Sequence, residues 1–317
     1  MSRDTILITG VAGFIGSNLA TRLLDEGYRV VGLDNLSAGT RANLDPRLTF
    51  VEADIRDAGI ARHFAGVEAV FHLAARTCLS DCLRHPRETS DINITGTVTV
   101  LEAARQAGVR KLIYADTSAA YEGIPELPSR VDRVCPIGPY AVSKRAGALF
   151  CESYRRLHGL PVTVLRYFNV HGPAQDWRRV IPPVMSAFIL TMLRGERPTI
   201  YGTGEKRRDF VYVDDVNAFH LLALRDPATD GGVFNVGSGV NHSVNEIFAL
   251  IEEQLQTGLT PRYAPDQPGE AEATLADISA GHALGWEPKV DIREGLRRSI
   301  AYLRERVVGE SDRPGGW

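Results

Sequence analysis

Cysteine is scarce in this chain. Cys78, Cys82, Cys135 and Cys151 are the four among 317 residues, too few and too scattered for a disulfide scaffold. Cys78 and Cys82 share a helix face by spacing. No histidine or further cysteine stands at ligand spacing around them, so a structural or incidental role is favoured over zinc and no metal is expected. No apolar run approaches the roughly 18 residues of a membrane span. An excess of one charge is missing too: 36 lysines and arginines face 39 aspartates and glutamates, a net charge of −3. That balance gives no reason to expect nucleic acid or an anionic membrane as partner. Met1 to Thr5 pass straight into a strand-like run without the layout of a signal peptide, so a cytoplasmic enzyme is expected.

What is present is alternation. Thr5–Thr9, Arg29–Leu33, Leu48–Val51, Ala69–Leu73, Lys111–Ala115 and Val162–Arg166 are short, apolar and rich in β-branched residues. Amphipathic stretches separate several of them, from Phe14 to Glu26, from about Asp91 to Ala107 with Gly108 behind it, and from Tyr140 to His158. Continuous apolar strands alternating with helices predict an α/β fold, a doubly wound parallel sheet of Rossmann type. After Asn169 the pattern loosens, and Pro173, Pro182, Pro183, Pro198, Pro265 and Pro268 punctuate shorter elements, which predicts a second, smaller lobe. The expected division is residues 1–170 for the nucleotide domain and 171–317 for the lobe, with a segment near 209–225 returning to the first. Phe210–Val213 reads as a strand leading into a capped helix, and Ser311–Trp317 as a flexible tail.

Gly10-Val11-Ala12-Gly13-Phe14-Ile15-Gly16 follows the first strand and opens a helix. Glycines there permit a tight turn and close approach to a pyrophosphate at the positive helix end. The spacing is GxxGxxG rather than GxGxxG. Asp34 closes the second strand at about the 20-residue distance expected of the acid that binds an adenosine ribose. It favours NAD over NADP, with Arg41 nearby as a possible acceptor of a 2′-phosphate; a turn residue before Asn35 is the plainer alternative. Far downstream, Tyr140 and Lys144 lie four residues apart on one helix face. An ammonium beside a phenol favours the phenolate, which can then exchange a proton with a sugar or alcohol hydroxyl.

With these pieces the chain resembles the extended short-chain dehydrogenase/reductase family, and within it the nucleotide-sugar epimerases and dehydratases typified by UDP-glucose 4-epimerase. The likeness extends over nearly the whole chain, through Asp34-Asn35-Leu36-Ser37, Asp54-Ile55-Arg56-Asp57, His72-Leu73-Ala74-Ala75, Asn93-Ile94-Thr95-Gly96-Thr97, Leu165 to Val170, Arg208 to Val216, Asn235 to Gly239 and Leu284-Gly285-Trp286. The resemblance implies NAD as cofactor, with Gly10, Gly13, Phe14, Ile15, Gly16, Asp34, Asn35 and Ser37 around it. It gives Asp54 and Ile55 to the adenine, Leu73, Ala74 and Ala75 to the pyrophosphate and ribose, and Asn93 to a nearby contact. Lys144 also holds the nicotinamide ribose in this reading, and Phe168 packs near the nicotinamide. For Leu73 and Ala74 plain core packing stays an equal alternative. Thr117, four residues before Tyr121, completes a triad with Tyr140 and Lys144; Ser118 beside it is the second candidate. Asn169 and Arg208 face the diphosphate of a nucleotide sugar, most readily a UDP-sugar, and Thr274 lies beside the sugar's C2 group.

The implied reaction is oxidation at sugar C4 to a transient 4-keto sugar, followed by reduction on the other face, with NAD regenerated. UDP-glucose and UDP-galactose are the expected substrates; a threonine at 274 leaves room for the N-acetylhexosamines. The usual dehydratases carry an Asp-Glu pair where this chain has Ser118 and Ala119, although an atypical dehydratase remains the alternative. Three positions depart from the family's pattern: Gln267 where an arginine often grips the diphosphate, Asp116 beside Thr117, and Glu122 between Tyr121 and Gly123. Asp116 either perturbs Tyr140 or caps a strand end. Apolar stripes on the helices from Asp91 and Tyr140 (Ile92, Val98, Leu101; Ala141, Leu149, Phe150) imply a homodimer by resemblance, with burial against the sheet as the alternative.

Overall fold

The computed structural model describes residues 4–176, 182–266 and 271–311, with side chains to 306. Seven strands form a wholly parallel sheet: β1 (Thr5–Thr9), β2 (Arg29–Asp34), β3 (Thr49–Glu52), β4 (Ala69–His72), β5 (Lys111–Thr117), β6 (Val162–Tyr167) and, after three strands that lie elsewhere, β10 (Val233–Val236). Those three are β7 (Asn169–His171), β8 (Thr199–Tyr201) and β9 (Arg207–Tyr212). The order across the sheet is β10-β6-β5-β4-β1-β2-β3. Every residue of β4, β5 and β6 is buried, as a sheet covered on both faces requires. One face packs under the helices Phe14–Asp25 and Val213–Arg225, the other under Gly96–Gln106 and Pro139–His158.

The chain winds outward from β1 in one direction and from β4 in the other. The strand order therefore reverses between β1 and β4, and a crevice opens there at the carboxyl ends of the strands, the place where open α/β sheets bind ligands.

β7, β9 and β11 (Asn241–Ser243) form a small sheet in the order β11-β9-β7, and β8 pairs with β12 (Arg262–Ala264). A separate core forms among the helices Val184–Leu193, Val244–Leu255 and Ile292–Ser311, centred on Ile189, Ile247, Ile251 and Leu296. The helix Val213–Arg225 lacks the side-chain cap its sequence suggested. Asp215 in its first turn instead accepts from the Lys289 and Val290 N–H groups at 2.9 and 3.1 Å. The stretch from Asp91 is not one regular helix either. It opens with a π-helical turn, Asp91–Thr95, before the α-helix Gly96–Gln106. Residues 312–317, most of the expected tail, lie outside the described residues, as does the whole of 267–270 with the Gln267 position.

Candidate active site

The glycine loop shows why its glycines are there. Gly10 has φ +75°, and a Cβ on it would lie 2.8 Å from the Ala74 nitrogen; one on Gly16 would lie 2.2 Å from the Gly10 carbonyl oxygen. Gly13 starts the helix Phe14–Asp25 without a side-chain cap, and no acidic residue stands in its first turn. The positive end of the helix is thus left to an outside anion. Asp34 accepts from the Ala12 N–H at 2.9 Å and the Leu36 N–H at 2.8 Å, which fixes its carboxylate at the loop. Burial pushes that carboxyl above its ordinary value, and the two N–H donors pull it back.

Around the next strand ends, Asn35 donates to Asp54 at 2.9 Å and accepts from the Ser37 hydroxyl at 2.7 Å. Arg56 bridges Asp54 and Asp91 and holds the Asp54 carboxyl well below the usual carboxylate range. Ile55 is buried under Gly96, where a Cβ would meet its Cδ1 at 2.6 Å. Leu73 and Ala74 continue β4, their N–H groups donating to the Thr9 carbonyl and hydroxyl, and Ala75 follows half-buried. Both are also partly packed into the core, Leu73 on one face of the sheet and Ala74 on the other. Arg41 makes an ion pair to Glu52 and stacks on Phe50 at 5.0 Å.

Thr117 ends β5, and its hydroxyl oxygen accepts from the Ala119 N–H at 3.1 Å, which leaves its own hydrogen to donate. Ser118 opens the 3-10 turn Ser118–Tyr121 that follows. Tyr140 lies in the first turn of the helix Pro139–His158. Lys144, one turn on, is 2% exposed, with its ammonium 4.1 Å from the centre of the Tyr114 ring. The Tyr114 hydroxyl donates to the Lys144 carbonyl at 3.1 Å. Burial lowers the Lys144 amine to about 8, while the nearby Asp116 carboxylate favours its charged form. Spacing placed Tyr140 and Lys144 on one face; Tyr114 as the platform beneath the lysine had no signal in that spacing.

Asn93 sits in the π-helical turn. Its amide group donates to Ser143 Oγ at 2.9 Å and to the Arg76 carbonyl at 3.0 Å, and its oxygen accepts from the Arg76 N–H at 2.8 Å. Ser143 in turn donates to the Tyr140 carbonyl at 2.8 Å. The wider turn suits these reaches, and such turns recur at functional sites. A polar line continues from the Asn93 carbonyl through Thr97 and His72 to Thr9. Burial holds His72 neutral, its imidazole lowered to about 3. Thr9, His72, Thr97 and Ser143 carried no assigned role in the sequence, although His72, Thr97 and Ser143 stand inside motifs that did.

Phe168 is buried and stacks on Tyr121 with centroids 6.1 Å apart. Asn169 donates to the Asp209 carbonyl at 2.9 Å, and the Asp209 N–H donates to Thr274 Oγ1 at 3.1 Å. Asn169, Thr274 and the strand that carries Arg208 are thereby joined. The buried Asp209 carboxylate accepts from the N–H groups of Ser238, Gly239 and Ala276, which fixes this corner.

Asp116 neither caps the strand nor stands alone. It pairs with Arg166 directly across on β6, Nε to Oδ2 2.9 Å, with both side chains buried. Arg166 also donates to Tyr121 Oη at 3.0 Å and to the Val131 carbonyl at 2.9 Å. Glu122 accepts from the Ile137 and Gly138 N–H groups at 3.1 and 2.8 Å.

A doubly wound sheet with an anion-ready glycine loop, and a half-buried Tyr140 one helical turn from a buried Lys144 beside β5, define the class: a dinucleotide-dependent enzyme. The model of the NAD dependent epimerase/dehydratase family matches residues 6–237, and the chain belongs to that family. It is 37% identical over 311 residues to the UDP-glucose 4-epimerase of Mycolicibacterium smegmatis, covering 95% of this chain and 98% of that one. Among solved structures, the Thermotoga maritima UDP-glucose 4-epimerase with UDP-glucose superposes with a TM-score of 0.92 at 38% identity, over 96% of this chain and 99% of that one. The Bacillus cereus UDP-glucuronic acid 4-epimerase in complex with UDP-glucuronic acid and NAD gives 0.88 at 31%, over 95% and 99%. NAD is the cofactor of the family, and the open helix end, the close-packed glycines of the loop and the oriented Asp34 carboxylate suit it.

Proposed function

We propose that the chain interconverts UDP-sugars epimeric at C4 through a transient 4-keto sugar, with NAD kept bound through turnover. The observation that carries this reading is the buried Lys144 ammonium on the Tyr114 ring, one helical turn from Tyr140 and on the sheet edge where Thr117 ends β5. Bound NAD supplies what side chains lack, accepting two electrons and the hydrogen from sugar C4 and returning them. Tyr140 takes the hydroxyl proton at its phenol oxygen and gives it back. Lys144 stabilises the phenolate and holds the nicotinamide ribose, while Thr117 donates to the reacting oxygen with Ser118 beside it. Gly10, Gly13, Phe14, Ile15 and Gly16 receive the pyrophosphate, Asp34 the adenosine ribose, and Asn35, Ser37, Asp54 and Ile55 the adenine side. Leu73, Ala74, Ala75, Asn93 and Phe168 line the rest. Asn169, Arg208 and Thr274 bind the nucleotide sugar from the smaller lobe.

Both extra carboxylates near the site are committed, Asp116 to Arg166 and Glu122 to two N–H groups. That supports epimerisation over a dehydration that would need them as acid and base. Incubation with UDP-glucose, UDP-galactose and their N-acetyl counterparts, followed by NMR, tests the reading: C4 epimers are expected from all four. Loss of water from the sugar, or steady release of NADH, overturns it. Thr274→Tyr is expected to lose the N-acetylated pair at least tenfold more than the plain hexoses, a difference of about 1.4 kcal/mol. Equal losses on both would remove Thr274 as the C2 gate.

The apolar stripe on the helix Pro139–His158 divides in two. Ala141 faces the core, and so does Leu101 on the neighbouring helix, but Val142, Leu149, Phe150 and Leu157 are 47%, 54%, 40% and 74% exposed along one face. This face supports a homodimer. Leu149→Glu is expected to shift a dimer to monomer in light scattering; a monomeric parent protein would rule the interface out.

A further inference from the structure

We infer that Glu122 is a positioning residue for Tyr140, and that it couples the turn carrying Thr117 to the helix carrying the tyrosine. The inference rests on the proposed roles of Thr117 and Tyr140.

The helix Pro139–His158 begins poorly by its own means. Its N-cap is Gly138, which has no side chain to accept from the first turn, and Pro139 at the first helical position has no N–H. The donors exposed just before the helix are those of Ile137 and Gly138. Glu122 Oε2 accepts both, at 3.1 and 2.8 Å. One carboxylate oxygen from a distant loop thus does the work of a cap, and its charge suits the positive end of the helix.

Glu122 is itself fixed. The turn Ser118–Tyr121 closes on it through its N–H to the Ala119 carbonyl at 3.2 Å. Cys135 N–H to the Ala120 carbonyl at 2.8 Å and Gly123 N–H to the Cys135 carbonyl at 2.9 Å then lace the two loops together. A Cβ on Gly123 would stand 2.5 Å from Cys135 Sγ and 3.0 Å from the Cys135 carbonyl oxygen, so the two loops pack closely here. Thr117 caps the start of the same turn through Ala119. Glu122 therefore stands at the far end of a six-residue segment, Thr117 to Glu122, whose near end is the threonine proposed to donate to the reacting oxygen. From the other side the helix is held by Asn93 through Ser143 to the Tyr140 carbonyl. The backbone around Tyr140 is thus held by Glu122 before the helix, by Ser143 at its own carbonyl and by Tyr114 at the Lys144 carbonyl, and Glu122 is the hold that comes from the turn Thr117 opens.

Displacing a reacting group by about 1 Å can cost on the order of 100-fold in rate. Glu122→Ala is accordingly expected to lower kcat about 10- to 100-fold with KM for UDP-glucose changed less than about threefold. Glu122→Gln keeps an acceptor oxygen for the same two N–H groups and is expected to recover most of kcat. Hydrogen exchange at the Gly138 amide, measured in the same variants, should speed up in the alanine protein and not in the glutamine one. A plain stabilising role would lower the melting temperature and leave kcat of the folded enzyme alone. The inference is overturned if Glu122→Ala keeps kcat within about twofold of the parent, or if Glu122→Gln fails to restore it. Tyr140→Phe, run alongside, separates the two levels: if that variant turns over normally the proposed base is wrong, whatever Glu122 does.

Discussion

Tyr140→Phe is expected to lower kcat for the proposed C4 epimerisation by about 10²- to 10⁴-fold, the range that a positioned proton-transfer group supplies, with little change in KM. The substitution removes one oxygen and leaves the clamps in place. The Ser143 bond reaches the Tyr140 backbone carbonyl, and Lys144 rests on the Tyr114 ring. The loss should therefore fall equally on kcat and kcat/KM, the pattern of an interaction made in the transition state alone. Steady-state kinetics with UDP-glucose and a coupled assay for UDP-galactose read both constants. Cofactor content, measured on the released nucleotide, stays at the parent level. A variant within tenfold of the parent would show that another group carries the proton.

The six strands before Asn169 were legible because each is a short, continuous apolar run, and that pattern has few readings when amphipathic helices stand between the runs. β10 was not. Val233–Val236 is four residues long, follows a pair of glycines and rejoins the sheet only after the chain has passed through β7, β8 and β9 elsewhere, so nothing local distinguishes it from a loop segment. The π-helical turn at Asp91–Thr95 was invisible for a different reason: its apolar residues keep a helical spacing, and the widening serves Asn93, whose partners Arg76 and Ser143 are 17 and 50 residues away. The glycine loop, Asp34 and the Tyr140–Lys144 spacing could be read because their geometry is local. What Asp116 and Glu122 do could not, since each finds its partner far along the chain. The stripe on the helix Pro139–His158 mixed two faces for the same reason. Spacing shows which residues share a face, while only packing shows that Ala141 turns inward and Leu149 outward.

Asp116→Ala destabilises the fold by about 3–5 kcal/mol, the cost of stripping one member from a buried ion pair. Arg166 would stay where it is, because its Nη1 also donates to Tyr121 and to the Val131 carbonyl. It would keep its charge in a site where its side chain is 2% exposed. Arg166→Met in the same chain removes the stranded charge, so the double variant should recover much of the loss, and denaturant unfolding of all four proteins gives the coupling directly. Asp116→Asn is the finer probe. It keeps an oxygen for Arg166 Nε and loses the charge, so its cost should fall between parent and alanine. The buried Asp116 Oδ1 has no partner among the described residues, and an amide nitrogen in that place would gain none, which limits the recovery. Additive single losses, with no coupling in the cycle, would mean that the pair is two independent buried polar groups. Strong coupling would mean that β5 and β6 are joined by a charge pair at the residue just before Thr117. The position of Thr117 would then depend on that pair.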